Sequence, residues 1–385
     1  MNKRLYVDDL FYQKIIDGTK TVEIRLNRDK YHGILPNSYL MLVNNNKPSE
    51  QLIKVLNVSQ FKTLEELLQV KGFKNCGFTS INNPNLALIN TFYTQEEIQK
   101  YGFIAIEFEK VTLKLSDIKN FVFDLDGTLL NSAGNIGEKN LETIYKLKNL
   151  GKNIIIATGR PIFTANKVLE KLPNDFPSLL ANGSMIYDFK NHKYLNIEAI
   201  DKNIIKQIYI KLVEWDYDFV MYSQNCILGY NTQKTDFFTK KGYTKTLSVQ
   251  QYIEGNAYEL LDQLDICKIL VVKRSNPEAM WDKVVPLVNS FTQIYGVVSD
   301  IGHLDIMKQG VSKASGLEYL VKHFKLDLTK TICFGDGDND IDMLQKAAYS
   351  GCTSNAFTTV KDKALFNLDS NDTNWLSDFI LEIEK

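Results

Sequence analysis

Cysteine is scarce in this 385-residue sequence, and neither sign of charge is in excess. Its five cysteines are odd in number, widely spaced and without a Cys-x-x-Cys pair, which argues against a disulfide framework or a zinc site. The 45 Lys and Arg residues nearly balance the 46 Asp and Glu residues, so net charge gives no electrostatic case for binding nucleic acid or a membrane. No apolar run approaches membrane-spanning length, and the first residues lack an apolar signal segment. We therefore expect a cytoplasmic protein with reduced thiols and no membrane association.

The chain is longer than a single hydrophobic core usually supports, so we expect two or three domains. Nothing in the composition indicates an obligate protein partner.

The stretch Phe-Val-Phe-Asp-Leu-Asp-Gly-Thr-Leu-Leu-Asn-Ser at 121–132 joins a predicted buried strand, 118–123, to two acidic residues. Asp124 and Asp126 are two positions apart, so an extended backbone points both side chains the same way, and Gly127 lets the chain turn beyond them. Two like charges this close are costly to bury unless a cation or a proton lies between them. The pair therefore predicts a divalent metal ion at the carboxyl edge of a sheet.

Three further motifs follow in the chain. They read Ile-Ile-Ile-Ala-Thr-Gly-Arg at 154–160, Gly-Val-Ser-Lys at 310–313 and Phe-Gly-Asp-Gly-Asp-Asn-Asp at 334–340. Taken alone, the Thr-Gly-Arg motif fits an ordinary turn between a strand and a helix. In this order, all four resemble the motifs of the haloacid dehalogenase (HAD) superfamily, and the flanking residues resemble its Cof-type, sugar-phosphatase-like branch over residues 115–385.

The resemblance implies an α/β fold, in which a HAD Rossmann-like parallel-sheet core is interrupted by an inserted α+β cap. Its core would occupy 114–182 and 303–385, and the cap 183–302. The family's motifs would make Asp124 the nucleophile that attacks phosphorus and Asp126 the acid and then the base. They would also place Mg²⁺ on Asp124, on the backbone carbonyl of Asp126 and on Asp336, with Asp340 close behind as a further ligand.

The Thr-Gly-Arg motif follows the second predicted strand of a right-handed βαβ unit, which brings it to the same sheet edge as Asp124. Thr158 can donate its hydroxyl to a phosphoryl oxygen, and Gly159 lets backbone amides approach that oxygen. Arg160 is a further substrate-binding candidate, and the resemblance adds Asn182 as a residue facing the substrate phosphate. On the residues alone, the Asn-Gly at 182–183 fits a hairpin turn at least as well.

Lys313 lies in the first turn of a predicted helix, where the helix dipole disfavours a cation, so a local need for positive charge is indicated. In the family, the matching lysine balances the nucleophile and the phosphoryl group. The loop at 335–340 resembles the family's metal-binding segment, with Asn339 as a substrate-binding candidate and Asn355 as a further residue near the site. An EF-hand is the competing interpretation, but Ile341 occupies the position that a calcium loop reserves for glycine.

The inserted cap is predicted as one open sheet with helices on a single face. The resemblance implies a lid that excludes water and selects the leaving group. Tyr222, Tyr230 and Phe237 are candidates for its pocket, although aromatic residues of this kind more often pack in a core. His192 and His303 are isolated, and we interpret them as structural rather than as metal ligands.

Residues 1–113 have mostly strand patterns with a few short helices, which predicts a small β-barrel. The segments Gly-Thr-Lys-Thr-Val-Glu-Ile-Arg at 18–25 and Tyr-Gly-Phe-Ile-Ala-Ile-Glu-Phe at 101–108 resemble an ASCH domain of the PUA-like superfamily, whose members bind RNA or modified nucleosides. The resemblance places Lys20, Glu23 and Arg25 in a ligand cleft, although a solvated strand edge would also explain these charges.

One branch of that superfamily hydrolyses acetylcytidine but carries Thr where this chain has Glu23, which argues against that activity. Residues 1–110 hold 14 Lys or Arg and 12 Asp or Glu, so a small nucleotide-like ligand fits better than a long RNA.

The sequence therefore predicts a magnesium-dependent phosphatase for a small phosphorylated metabolite, with an N-terminal domain for RNA or a nucleoside. Two alternatives stay open: an RNA- or nucleoside-binding protein whose phosphatase half is accessory, and a phosphosugar mutase. A non-catalytic scaffold is disfavoured because every motif residue is present.

Overall fold

The computed structural model of the chain describes residues 2–80, 87–173, 175–232, 247–272, 277–300 and 302–385. They form two compact units. The first contains residues 2–117 with the short stretches Ala348–Ser350 and Asp362–Asn367, and the second contains the other described residues. No helix within these ranges is long and apolar enough to cross a membrane.

A five-stranded sheet and four short helices build the N-terminal part of the first unit. They are β1 Arg4–Val7, α1 Asp9–Ile16, β2 Val22–Leu26, β3 Tyr39–Asn44, β4 Glu50–Phe61, α2 Leu64–Lys71, α3 Ala87–Phe92, α4 Gln95–Tyr101 and β5 Phe103–Lys110. The strand order β1-β3-β4-β5-β2 leaves β1 and β2 at the edges. Arg25 on β2 donates a hydrogen bond to the carbonyl of Tyr6 on β1 at 2.6 Å, so the sheet curls until its edges approach each other. The predicted small barrel is thus a curled half-barrel.

Polar caps determine where the helices of this unit begin. Asp8 accepts a hydrogen bond from the Leu10 amide ahead of α1, and Thr94 and Glu97 form the predicted capping box at α4. Apolar side chains from α1, α2 and all five strands fill one common core.

The second unit begins with a strand–helix–strand segment that the sequence predicts. Its elements are β6 Asn120–Phe123, α5 Glu138–Asn149, β7 Asn153–Ile156, α6 Ile162–Leu169 and β8 Ser178–Leu180. All four residues of β6 are buried, which agrees with the predicted internal strand.

The chain then enters the inserted cap segment. Its elements are β9 Met185–Asp188, β10 Lys193–Ile197, α7 Lys202–Glu214, β11 Asp218–Ser223, β12 Ile227–Tyr230, β13 Tyr252–Glu254, β14 Ile266–Val272, α8 Pro277–Asn289, β15 Ile294–Asp300 and β16 His303–Lys308. Six of these strands form one sheet in the order β13-β12-β11-β14-β16-β15. Residues of α7 and α8 share one apolar cluster with this sheet, so both helices pack on the same face, as predicted.

Strand pairing in the cap differs from the predicted layout at two places. β9 and β10 join β8 in a separate three-stranded sheet rather than the large one. β16 pairs with β14 and β15, so the cap sheet continues past the boundary predicted at 302. The reason is that Leu304 and Ile306 alternate into the apolar cluster of the cap.

The chain returns from the cap to complete the core. The closing elements are α9 Lys313–Phe324, β17 Thr331–Gly335, α10 Ile341–Lys346, β18 Tyr349–Cys352, α11 Thr358–Lys361, β19 Phe366–Asn367 and α12 Trp375–Ile383. The core sheet has the order β19-β18-β17-β6-β7, with β6 parallel to both β17 and β7. The carboxyl ends of these three strands therefore meet at one edge, where open α/β sheets hold their ligands.

Candidate active site

Asp124 directly follows β6, an internal strand of the core sheet, and lies at this edge. Its amide donates a hydrogen bond to the carbonyl of Phe334 on β17, so the residue is fixed by the sheet, and only 5 % of it is exposed. Below it, Phe123 stacks on Phe334 with 5.2 Å between ring centroids, and Trp375 packs on Phe334 at 5.0 Å. The two strands that lead into the site are thus held together by packed aromatic rings.

Asp336 follows β17 and approaches the turn after Asp126 very closely. Thr128 donates its hydroxyl to Asp336 Oδ1 at 2.8 Å. A Cβ atom on Gly127 would lie 2.2 Å from Asp336 Oδ2, and Gly127 also has a φ of +77°. Any other residue would be strained in this conformation, and its side chain would push the Asp336 carboxylate aside.

Lys313 is fully buried at the first position of α9, behind the N-cap Ser312. Its ammonium group donates to Asp124 Oδ1 at 2.5 Å and to Asp340 Oδ1 at 2.6 Å. Burial alone would lower the pKa of Lys313, but these two carboxylates raise it above its usual value. Lys313 is therefore a permanent positive charge at the site.

Asp340 connects this lysine to the Asp336 loop. Its second oxygen, Oδ2, accepts hydrogen bonds from the amides of Asp336 at 2.9 Å and Gly337 at 3.0 Å. The Asp340 side chain thereby fixes both the loop and the ammonium group.

Asp124, Asp336 and Asp340 each place a carboxylate oxygen within 4.8 Å of the others. Burial, reinforced by the neighbouring carboxylates, raises the pKa of Asp124 well above its usual value despite the opposing effect of Lys313. Burial and the Asp340 charge raise the pKa of Asp336 to about 7. Three acids facing one lysine leave negative charge uncompensated, and their oxygen atoms are ligands of the kind that Mg²⁺ prefers, so the residues fit a divalent cation.

The Thr-Gly-Arg segment lies at the same edge, directly after β7. Thr158 is fully buried, and its hydroxyl oxygen accepts a hydrogen bond from the Arg160 amide at 3.2 Å. Arg160 reaches across to Asp126 and donates to both carboxylate oxygens, at 2.7 Å and 2.5 Å. The Asp126 side chain is therefore outside the acidic cluster and pairs with the guanidinium instead.

Asn182 joins the Thr158 loop to the loop at 335–340. It has a left-handed backbone conformation, with φ of 57°, and its amide donates to the Thr158 carbonyl at 2.9 Å. Its side-chain oxygen accepts a hydrogen bond from Asn339 Nδ2 at 3.1 Å. The structure thus brings the predicted residues of the four motifs, together with Asn182, to one sheet edge.

The three polar residues singled out in the N-terminal unit are also close together. Glu23 is buried, and its oxygens lie 3.2 Å from Lys20 Nζ and 2.9 Å from Arg25 Nη2. They line a cavity of about 270 Å³ whose walls include Phe11 and Phe78, with rings in edge contact at 5.7 Å. The competing interpretation, a solvated strand edge, is wrong because Lys20 and Glu23 are at most 4 % exposed.

Comparison with known protein families agrees with both halves of this description. Residues 121–380 match the sequence model of the haloacid dehalogenase-like hydrolases. The chain belongs to this family. Residues 5–112 match the ASCH domain, so the resemblance read from the sequence is confirmed at both ends of the chain.

Relatives of this HAD-like hydrolase support a phosphatase enzyme. A Mycoplasma genitalium protein named as a candidate phosphatase is 30 % identical over 261 residues, which cover 65 % of this chain and 92 % of that protein. A Bacillus subtilis 5-amino-6-(5-phospho-D-ribitylamino)uracil phosphatase is 23 % identical over 280 residues, which cover 67 % of this chain and 95 % of the relative.

Solved structures agree with the HAD-like fold. A haloacid dehalogenase-like hydrolase from Bacteroides thetaiotaomicron has a TM-score of 0.58 at 23 % identity, over 69 % of this chain and 99 % of that one. A subclass IIB sugar phosphatase of the HAD superfamily also has a TM-score of 0.58, at 21 % identity, over 68 % of this chain and 98 % of the other. The predicted fold class is therefore confirmed.

The candidate pocket residues in the cap of this hydrolase have different surroundings. Tyr230 stacks on Phe219 at 5.4 Å and packs against the apolar cluster of the cap, which makes it a core residue. Tyr222 instead lies beneath the ammonium group of Lys268, with 5.3 Å from nitrogen to ring centroid. Phe237 lies outside the described residues.

Sequence reasoning missed two groups of residues that hold the loops of this HAD site. Thr353 and Asn355 both donate to the Gly127 carbonyl, at 3.0 and 2.8 Å; only Asn355 had been singled out, and without this contact. Lys268 and Asp305 form a buried ion pair in the cap sheet at 2.8 Å. For Lys268, the available signal was a charged residue inside an otherwise apolar strand, β14.

Proposed function

We propose that this protein is a magnesium-dependent phosphatase that hydrolyses monoesters of small phosphorylated metabolites through an aspartyl-phosphate intermediate. The observation that carries the proposal is the contact of Asp124 with the buried Lys313, beside the carboxylates of Asp336 and Asp340. A carboxylate nucleophile needs a cation to let it approach a phosphate dianion, and this arrangement supplies one.

In the first step, an oxygen of Asp124 forms a bond to phosphorus while the bond from phosphorus to the substrate oxygen breaks. Asp126 gives its proton to the departing alkoxide. In the second step, Asp126 takes a proton from water, whose oxygen attacks phosphorus and displaces Asp124. The products are an alcohol and inorganic phosphate, and both aspartates return to their initial states.

Asp124, the backbone carbonyl of Asp126, Asp336 and Asp340 would hold Mg²⁺. When bound, the ion neutralises carboxylate and phosphate charge and orients the phosphoryl group. Lys313 and the hydroxyl of Thr158 stabilise the equatorial oxygens as charge shifts towards them. Gly159, Arg160, Asn182 and Asn339 surround the phosphate.

The inserted cap and the names of the relatives support a small organic phosphate as the substrate. The curated relatives include a phosphatase for a ribitylaminouracil phosphate, and the matched structures include a sugar phosphatase. A phosphosugar mutase would use the same nucleophile but return the phosphoryl group to a sugar, so it would release little inorganic phosphate. A cytoplasmic location belongs to the same proposal and is supported by five buried cysteine thiols.

The test is release of inorganic phosphate from a panel of sugar, nucleotide and cofactor phosphates, with and without MgCl₂, by the full-length chain. We expect activity on at least one class, and Asp124→Asn should abolish it. Asp342→Asn changes an exposed acid in the same part of the chain and serves as the control, with activity unchanged. Wild-type protein that is inert across the panel would contradict the proposal and revive the scaffold alternative.

A second candidate function is nucleoside or RNA binding by the N-terminal domain. It is supported by the cavity of about 270 Å³, in which a buried carboxylate and two cations lie beside aromatic rings. Among the described residues, Arg25 Nε is buried without a hydrogen-bond acceptor, which suits a polar ligand. A flat base could stack on an aromatic wall and satisfy these groups.

Binding of nucleosides and short RNA oligonucleotides by calorimetry tests this second function. Glu23→Gln should lose binding while phosphatase activity remains, and Asp124→Asn should do the reverse. If Asp124→Asn also abolished nucleoside binding, the two functions would not be separable, and an independent N-terminal site would be ruled out.

A further inference from the structure

Lys268 is a buried cation that the proposed chemistry has not used. It lies in β14, inside the cap sheet, and only 3 % of it is exposed. Taking an ammonium group out of water is expensive unless several partners surround it. The role of this buried charge can therefore be inferred from the groups that it contacts.

Three groups are among the contacts of the Lys268 ammonium within the described part of the chain. Asp305 Oδ1 is 2.8 Å away, the Tyr222 ring lies 5.3 Å below, and the carbonyl oxygen of Gly159 accepts a hydrogen bond at 3.1 Å. The first two belong to the cap segment. The third belongs to the Thr-Gly-Arg loop of the core, so Lys268 connects the cap sheet to the proposed phosphate-binding loop.

The Gly159 carbonyl shares one peptide group with the Arg160 amide. That amide donates to Thr158 Oγ1 at 3.2 Å. Because a peptide group is planar, fixing its carbonyl on Lys268 also fixes the direction of its N–H. A cation on the carbonyl also polarises the peptide and strengthens its N–H as a donor.

The Thr158 hydroxyl can donate one hydrogen bond and accept two. Since its oxygen already accepts from the Arg160 amide, its proton is directed away from that amide and is available to an acceptor in the site. Lys268, the peptide group and Thr158 thus form a line of donors that ends at the proposed phosphoryl oxygen.

The other member of the ion pair reaches the opposite side of the site. Asp305 Oδ2 accepts a hydrogen bond from Asn182 Nδ2 at 2.7 Å, and Asn182 Oδ1 accepts one from Asn339 Nδ2 at 3.1 Å. Asn339 lies in the Asp336–Asp340 loop. The Lys268–Asp305 ion pair therefore also connects the cap sheet to this loop, which carries two of the proposed metal ligands.

We propose that Lys268 is a positioning residue for phosphoryl transfer, acting through the Gly159–Arg160 peptide group to direct the Thr158 hydroxyl at the phosphoryl group, with Asp305 as its counter-charge. This inference rests on the proposed phosphatase function. It gives the cap sheet a role in positioning residues of the core site, and this role is separate from substrate selection.

A double-mutant cycle between Lys268 and Thr158 tests it, with single-turnover release of p-nitrophenol from p-nitrophenyl phosphate as the readout. Lys268→Met should lower the rate about tenfold to a hundredfold, as expected when a reacting geometry is loosened. On a Thr158→Val background, the same substitution should cost less than about threefold, because the hydroxyl it acts through is gone. Equal losses on both backgrounds would overturn the proposal and leave Lys268 a structural role.

Lys308→Met is the matched control. Lys308 is on the neighbouring strand β16 and pairs with Glu198 at 2.6 Å, but it is partly exposed, so its removal should leave the rate unchanged. If Lys268→Met alone does not fold, the charge-neutral variant Lys268→Met/Asp305→Asn replaces it in the cycle.

If wild-type protein does not hydrolyse phosphate esters, the proposed function is wrong, and the same cycle is then read as affinity for inorganic phosphate by calorimetry. Weaker phosphate binding by Lys268→Met only when Thr158 is present would still support the positioning role. Equal binding by wild type and variant would contradict it.

Discussion

Arg160 holds the Asp126 carboxylate with a two-pronged hydrogen bond, Nε to Oδ2 at 2.7 Å and Nη2 to Oδ1 at 2.5 Å. The two residues follow neighbouring parallel strands, β7 and β6, so the pairing spans the sheet edge. A carboxylate that protonates a leaving group has to give up such a partner first. We therefore expect a bound phosphate monoester to take over the guanidinium and release Asp126.

Replacing Asp126 should reduce the hydrolysis rate most for substrates whose leaving group has to be protonated. Asp126→Asn should reduce the single-turnover rate for a sugar phosphate by about 10²- to 10⁴-fold, the usual contribution of a general acid. The loss for p-nitrophenyl phosphate should be at least about tenfold smaller, because its leaving group departs without a proton. Equal losses for the two substrates would rule out Asp126 as the acid, and Asp342→Asn again provides the control.

Gly127→Ala should disrupt the acidic cluster, because the added carbon would lie 2.2 Å from Asp336 Oδ2. We expect a loss of kcat/KM of about a hundredfold and a higher MgCl₂ requirement. Gly134→Ala is matched for strain, with a φ of +76° against +77°, but has no neighbouring atom within 4 Å. It should lose some stability and keep its activity; similar activity losses in both variants would mean that backbone strain alone is responsible.

Without a divalent cation, the free energy of unfolding should fall as the pH rises, because of the acidic cluster. The pKa of Asp336 is raised from its ordinary 3.8 to about 7 by burial and by Asp340, so the folded state binds this proton more tightly than the unfolded state. The free energy of unfolding therefore falls between about pH 4 and pH 7, as the proton is lost. Melting curves in EDTA should show this fall, and MgCl₂ or Asp336→Asn should reduce it. A fall of the same size in Asp336→Asn would contradict this prediction.

Glu23→Gln should destabilise the N-terminal domain, since it leaves Lys20 and Arg25 buried beside each other without their shared counter-charge. Breaking a buried ion pair in this way costs about 3 kcal/mol, which would lower the melting midpoint measurably. Lys47→Ala removes a cation whose side chain is 55 % exposed beside Asp9 and should leave the midpoint in place. An unchanged midpoint in Glu23→Gln would show that the two cations do not need the carboxylate.

Two acids of the site could be predicted from sequence because each comes directly after a short, mainly apolar strand. Asp124 follows β6 and Asp336 follows β17, and parallel neighbours deliver such residues to one edge whatever lies between them in the chain. The capping box of Thr94 and Glu97 was also predictable, because the two residues that form it are only three positions apart in the sequence.

The contacts of the cap could not be predicted in the same way. Lys268 and Asp305 meet because β14 pairs with β16, and the alternation within one strand does not indicate which partner it selects. Several short strands were missed as well, and β1 and β13 are examples. β1 has only four residues and begins at Arg4, and β13 has three, so neither is long enough for a period-two pattern to stand out.

The pairing of β6 with β17 has a consequence for how the protein is made. Thr128 and Asp336, which share a hydrogen bond, are 208 positions apart in the chain. One side of β6 pairs with β7 soon after translation, whereas the other waits for β17 to leave the ribosome. At about 5 to 20 residues per second, that wait lasts on the order of 10 to 40 seconds, long enough for the intervening cap to fold first. During that interval the nascent chain presents an unpaired strand edge, which makes this stage of synthesis prone to aggregation and a target for chaperones.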